Sequence, residues 1–281
     1  MTTVPRNEQE ILLASILKKP REFVIAHPED SLRWRERLRF WHSLHQRKRG
    51  VPIAYLTRKK EFFGIDFFVN RHVLIPRPET ELLVEQVVAR IRQEGKDKKI
   101  ILVDIGTGSG CIPLAIMKTL NNKNIQAIAI DKSRNALRVA KKNTKQQQAR
   151  MILLRGNLLE PFAQYSRNNP IGSPLIITAN LPYLTKEQYA DEPSIKHEPR
   201  SALVANKSGL ALYEQLLKQI QQLTMSYEVK ATCYFEIDPS QSDRIKSLVT
   251  TFLPGANVEI KKDLGGRNRV VCISTMEKSE K

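Results

Sequence analysis

The chain has 281 residues, 41% hydrophobic and 27% charged, which is the composition of a globular protein with room for two domains and excludes collagen-like, coiled-coil and disordered classes. No stretch approaches the roughly 18 uncharged apolar residues of a membrane span, and the first residues, MTTVPRNEQEILLASILKK, lack the pattern of a secretory signal, so a cytoplasmic protein is expected. The formal charge is +17, which makes an acidic partner the first suspicion, and the excess is densest in residues 1–72, where 15 Lys and Arg face 8 Asp and Glu.

In chain order, residues 7–46 read as helical. Ile11, Leu12, Ser15 and Ile16 form one stripe at helical spacing, and Leu38, Trp41, Leu44 and His45 form another. Pro20, Pro28 and the Gly50–Pro52 step punctuate them. EFFGIDFFVN (61–70) predicts a strand–turn–strand ribbon. From residue 79 onward helix and strand alternate. ETELLVEQVVARI is an amphipathic helix. KIILVDIG is a strand apolar on both faces. A helix from about 110, the strand IQAIAID and the helix SRNALRVAKKN with Ser133 as its N-cap follow. MILLRG, PLIITAN and ATCYFEID are further strands, with helices near 208–223 and 239–252. NVEIKKD and RVVCIST close the chain as an antiparallel pair. Short connections between alternating units imply a doubly wound α/β sheet. The division expected is 1–72, helices plus ribbon, and 73–281, the catalytic domain.

Three cysteines (111, 233, 272) and five scattered histidines fit neither a disulfide framework nor a metal site, and no metal is expected. Cys111 opens a helix, where a reactive thiol is conceivable, but a small packed residue is the better reading.

Two clusters carry chemistry. VDIGTGSG (103–110) leaves a buried strand and opens a helix, so its glycines let the backbone approach a ligand at a helix N-terminus. Its spacing departs from the dinucleotide fingerprint, which argues for a different nucleoside ligand. Asp131 ends the next strand, where a carboxylate can accept both ribose hydroxyls. The second cluster is Asn180, Leu181, Pro182 and Tyr183, at the end of the fourth strand of the sheet. A planar NH2 needs two in-plane acceptors. The Asn180 side-chain oxygen supplies one, the Leu181–Pro182 segment can present a carbonyl without a competing donor, and Tyr183 can stack on the flat group.

The glycine loop with Asp131 resembles the class I S-adenosyl-L-methionine-dependent methyltransferase core. The resemblance implies a Rossmann-like seven-stranded sheet. It places Gly106, Thr107, Gly108, Ser109 and Gly110 at the methionine part of the cofactor and Asn157 and Leu158 by the adenine, with Asn180 also near the cofactor. NLPY resembles the [N/D]PPY motif of enzymes that methylate planar nitrogens, with Leu181 in place of a proline. That motif is shared by adenine-N6 and protein-glutamine methyltransferases. VLIPRPETELLVE (73–85), PIAYL (52–56), EPRSAL (198–203), GLALYEQLL (209–217), EIDPSQ (236–241) and DLGGRNRVV (263–271) together resemble the release factor glutamine methyltransferase family. VANKSG (204–209) departs from that family's usual turn, and SPLIITAN lacks its usual Asp.

The resemblance implies a small N-terminal helical domain, a connecting β-hairpin and the catalytic domain. It implies methyl transfer from S-adenosyl-L-methionine, leaving S-adenosyl-L-homocysteine, to the glutamine of the GGQ loop of bacterial class 1 release factors. Asn180, Pro182 and Tyr183 would be catalytic, Asn180–Tyr183 with Arg77 and Glu79 would meet the substrate, and the N-terminal helices would grip the factor. Arg77 and Glu79 read equally well as a turn arginine and a helix-start glutamate. A monomer without membrane contact or nucleic-acid substrate is expected. The alternatives are a ribosomal-protein glutamine methyltransferase, a nucleic-acid adenine-N6 methyltransferase and a non-catalytic binding module.

Overall fold

The computed structural model describes residues 4–28, 31–95, 98–171, 174–206 and 209–275. Lys207 and Ser208 of VANKSG and Ser173 of SPLIITAN lie outside the described residues.

Four helices come first: α1 (Arg6–Leu17), α2 (Arg21–Ala26), α3 (Trp34–Lys48) and α4 (Ile53–Thr57). Pro20 and Pro52 sit at the N-caps of α2 and α4, where a missing N–H costs nothing. Arg47 of α3 grips both oxygens of Glu8 of α1, at 2.7 and 2.9 Å. α4 was not foreseen as a helix. Its Tyr55 is buried and donates to the Val73 carbonyl at 2.6 Å, within an apolar cluster of Val69, Val73, Ile75, Ala136 and Val139. The Leu38–Trp41 stripe of α3 does not face inward. Leu38 and Trp41 are 60% and 64% exposed.

Strands β1 (Lys59–Phe62) and β2 (Ile65–Phe68) make the expected ribbon. Phe62 and Phe67 are buried in the same cluster as Leu83, Val84 and Val87, so the ribbon's apolar side belongs to the core of the larger unit.

That unit comprises α5 (Glu81–Glu94), β3 (Ile100–Ile105), α6 (Cys111–Leu120), β4 (Ile125–Asp131), α7 (Arg134–Gln146), β5 (Met151–Arg155), α8 (Glu160–Ser166) and β6 (Leu175–Ala179). It continues with α9 (Lys186–Asp191), α10 (Ala211–Tyr227), β7 (Ala231–Glu236), α11 (Ser242–Phe252), β8 (Asn257–Lys262) and β9 (Asn268–Ser274). The seven strands lie in the order β5-β4-β3-β6-β7-β9-β8, with β9 antiparallel to both its neighbours and the rest parallel.

Burial explains the sequence pattern. All six residues of β3 are buried between β4 and β6, which is why IILVDI carries no alternation, whereas edge strand β8 alternates and bears Lys261 and Lys262. One face is packed by α8, α10 and α11 through Phe162, Tyr213, Leu217 and Ile245, the other by α5 and α6 through Leu83, Val87 and Leu114. The Ser133 hydroxyl caps α7 by accepting from the Ala136 N–H at 3.2 Å, as its position predicts. Strand order reverses at β3. A crevice therefore opens at the carboxyl ends of β3, β4 and β6, the place where open α/β sheets bind ligands.

Candidate active site

The crevice holds a cavity of about 270 Å³. Gly106, Thr107, Gly108, Ser109, Asp131, Asn157 and Leu158 line one part of it, and Asn180, Leu181, Pro182 and Arg77 line another. Residues from five separate segments of the sequence thus meet in one space.

The loop after β3 is tied to the neighbouring strand β4. The N–H groups of Gly106 and Thr107 donate to the Ile130 carbonyl at 2.9 and 3.0 Å. Gly106 has φ +71°, and a Cβ there would stand 3.1 Å from Leu181 Cδ2, so the bare backbone lets the loop and the NLPY segment pack together. Leu181, in the position of a proline, fills that space. Gly110 is the N-cap of α6, with φ +78°. It does not line the cavity, and a Cβ on it would meet Met151, Leu114 and Ala140, so its glycine serves helix packing. Asn143 of α7, fully buried, donates to the carbonyls of Ser109 at 2.8 Å and Phe68 at 3.0 Å and accepts from the Phe68 N–H at 2.8 Å. It ties the ribbon to the glycine loop.

Asp131 ends β4 with each oxygen holding one backbone N–H, Gly108 at 3.0 Å and Ser133 at 2.8 Å. Burial raises its pKa, while those two N–H bonds oppose the rise. Each oxygen retains acceptor capacity. Asp104, one strand inward, is fully buried. Thr178 donates to its Oδ1 at 2.7 Å, and the neighbouring Thr107 hydroxyl also favours its charge. Burial pushes Asp104 up to about 7. Cys111 is buried as a packed residue, and burial pushes its thiol up to about 12, opposite to a reactive cysteine.

At the end of β6, the Asn180 amide donates from Nδ2 to Glu236 Oε2 at 2.8 Å and to Thr80 Oγ1 at 3.1 Å. The Leu181 N–H donates to the Tyr213 hydroxyl at 3.2 Å, and that hydroxyl in turn donates to the Glu236 carbonyl. Tyr183 is not among the residues lining the cavity. Its hydroxyl turns to Glu236 Oε1 at 3.4 Å, and its carbonyl accepts from Gln241 Nε2 at 3.0 Å. Gly209 seats against that same carbonyl.

Arg77 lines the cavity and pairs with the buried carboxylate of Glu198, which also accepts from the Ile75 N–H at 3.0 Å. The PRPET and EPRSAL segments are thereby clamped together. Glu79 is exposed and outside the lining, as a helix-start glutamate would be.

Family models match in two places: the PrmC N-terminal domain over residues 2–57 and the methyltransferase small domain over 78–175. Curated relatives named release factor glutamine methyltransferase align over nearly the whole chain. The Bacillus anthracis protein is 33% identical over 267 residues, covering 94% of this chain and 91% of its own. The Bacillus subtilis protein is 35% identical over 269 residues, covering 95% and 90%. The chain belongs to the release factor glutamine methyltransferase family. It is an enzyme of the methyltransferase class, and its fold agrees with solved methyltransferases outside the family. The hMettl16 catalytic domain bound to the MAT2A 3'UTR hairpin 6 superposes with a TM-score of 0.58 at 17% identity, covering 81% of each chain. The N-terminal domain of human METTL16 in complex with SAH gives 0.50 at 17% identity, covering 76% of each.

Within this family member, the sequence reading missed Thr80, Glu198, Tyr213, Glu236, Gln241 and Asn143. Thr80, Glu198, Glu236 and Gln241 stand inside the quoted PRPET, EPRSAL and EIDPSQ motifs and Tyr213 inside GLALYEQLL, so polar letters held at fixed places among apolar ones were the available signal.

Proposed function

We propose that this chain transfers the methyl group of S-adenosyl-L-methionine to the side-chain amide nitrogen, N5, of the glutamine in the GGQ motif of bacterial class 1 release factors, supporting translation termination. One observation carries the reading: the glycine loop with Asp131 and the Asn180–Pro182 edge line a single cavity.

The residues fit that cofactor. Gly106 and Gly108 offer backbone without Cβ atoms, Asp131 offers two oxygens with acceptor capacity left for ribose hydroxyls, and Asn157 and Leu158 supply the adenine end. When bound, S-adenosyl-L-methionine supplies an electrophilic sulfonium methyl.

An amide nitrogen is a poor nucleophile because its lone pair is delocalised. Asn180 Oδ1 and a backbone carbonyl of the Leu181–Pro182 segment would accept its two N–H bonds, raising electron density on nitrogen and favouring positive charge as the N–CH3 bond forms and the S–CH3 bond breaks, after which one N–H proton would pass to water. Holding nitrogen and methyl in line supplies most of the acceleration, since effective molarities reach roughly 10⁵ M or more in good geometry. Arg77, fixed by Glu198, stands at the same cavity to meet the peptide carrying the glutamine.

The N-terminal helices would hold the body of the release factor. The exposed Trp34, Leu38 and Trp41 lie on one face of α3, beside exposed Arg33, Arg35, Arg37 and Arg39. An apolar face rimmed by cations suits an acidic protein surface. The reading is tested by Asn180→Ala, which should abolish transfer to a release factor while S-adenosyl-L-methionine still binds. Wild-type turnover in that variant would overturn the site assignment.

A further inference from the structure

An asparagine amide has two nearly isosteric ends, an accepting oxygen and a donating NH2, and the end that meets the cavity decides what it can bind. Both N–H bonds of Asn180 are spent inside the protein, on Glu236 Oε2 and Thr80 Oγ1. Glu236 is 1% exposed at the end of β7, and Thr80 is 2% exposed in the turn before α5. The Thr80 hydroxyl accepts from Asn180 and favours the charge of the neighbouring Glu236.

Glu236 is costly to bury as an anion, and a neutral glutamine would fit the same space. The two are not equivalent, however. An ionised carboxylate only accepts, whereas a glutamine can accept or donate and so would satisfy Asn180 in either orientation. We propose that Glu236, with Thr80, is a positioning pair that fixes the Asn180 amide with its oxygen toward the cavity, and that it does so as the carboxylate. The proposal rests on the reading of Asn180 as an acceptor for the target amide.

A pH signature follows from the surroundings of Glu236. Arg269 of β9 favours its charge, as do the hydroxyls of Thr80 and Tyr183, while Glu79 opposes it; the Tyr213 hydroxyl of α10 donates to its backbone carbonyl. Burial outweighs the favourable contacts and pushes Glu236 up to about 7. As pH falls through that value the carboxyl gains a proton and becomes a donor. It can then serve Asn180 Oδ1, and the flipped amide would aim its NH2 at the N–H bonds of the substrate.

The test uses the full chain with a release factor, measuring kcat, KM and S-adenosyl-L-methionine affinity across about pH 6 to 8. Glu236→Gln should lower kcat by about ten- to hundredfold, leave cofactor affinity unchanged and remove the acid limb of the kcat profile. Thr80→Val should lower kcat, and Thr80→Ser should restore it. Wild-type kcat with an unaltered acid limb in Glu236→Gln overturns the proposal, as does a loss traced wholly to cofactor affinity. If Glu236→Gln does not fold, the Thr80 variants decide: equal losses in valine and serine, or none in valine, contradict it. Activity in Asn180→Ala would instead overturn the underlying site reading.

Discussion

Gly209 and the Tyr183 carbonyl approach so closely that a Cβ on the glycine would sit 1.9 Å from the oxygen and 2.3 Å from Gln241 Nε2. The backbone at Gly209 has φ +83°, which itself excludes most side chains. The start of GLALYEQLL therefore fixes where the NLPY segment can lie. Gly209→Ala should cost roughly 1–3 kcal/mol from backbone conformation alone, with the clash in addition. Thermal unfolding would show a lowered midpoint, and activity at a permissive temperature should fall more than cofactor affinity. An unchanged midpoint would remove Gly209 from this role.

Asp131 joins the glycine loop to the start of α7 by its bonds to Gly108 and Ser133. Hydrogen bonds to a charged group contribute about 1.5–3 kcal/mol each. Asp131→Ala should accordingly weaken S-adenosyl-L-methionine binding at least tenfold by calorimetric titration, while kcat at saturating cofactor changes less. Unaltered affinity would exclude the carboxylate from the cofactor site.

The buried Asp104 links stability to pH. An aspartate in the unfolded chain titrates near ~3.9, and the folded value is about 7. The folded state thus holds this proton more tightly, and the associated stability, complete below the unfolded pKa, is lost as pH rises through about 7. Glu236 acts in the same direction. Melting temperatures should fall from about pH 6 to pH 8 in the natural chain and fall less in Asp104→Asn. Equal falls would show that Asp104 ionises freely.

Much of this arrangement was legible from letters alone. The run IILVDI announced a central strand, the ribbon was visible in EFFGIDFF, and the glycine loop, Asp131 and Asn180 were found at strand ends. What was missed shares a physical cause: tertiary burial. The motif letters include Glu236 and Tyr213, but their bonds to the NLPY segment exist only once β6, β7 and α10 are side by side. Tyr183 and Gly110 stand outside the cavity lining, which their motifs alone do not show, since a motif names residues but not which way each one turns. The α3 stripe correctly marked a helix, but periodicity cannot say whether an apolar face has a partner within the chain.

That face gives its own prediction. Trp34 is 66% and Trp41 64% exposed, and the Arg35 guanidinium stands over the Trp34 ring, 5.1 Å from its centroid. Tryptophans at the centre of an interface contribute about 2 kcal/mol or more. Trp34→Ala with Trp41→Ala should raise KM for the release factor roughly thirtyfold or more without affecting a short GGQ peptide or cofactor binding. Raised salt should weaken the natural chain's binding to the factor. Equal KM values for variant and natural chain would place the docking surface elsewhere.

The central claim concerns the atom that receives the methyl group. The purified chain would be incubated with isotopically labelled S-adenosyl-L-methionine and, separately, a class 1 release factor, a ribosomal protein mixture and adenine-containing DNA, and the products mapped by mass spectrometry. One labelled methyl is expected on the side-chain nitrogen of the GGQ glutamine, absent when Asn180 is alanine. Label on adenine or on a ribosomal protein, with the release factor unmodified, would contradict it.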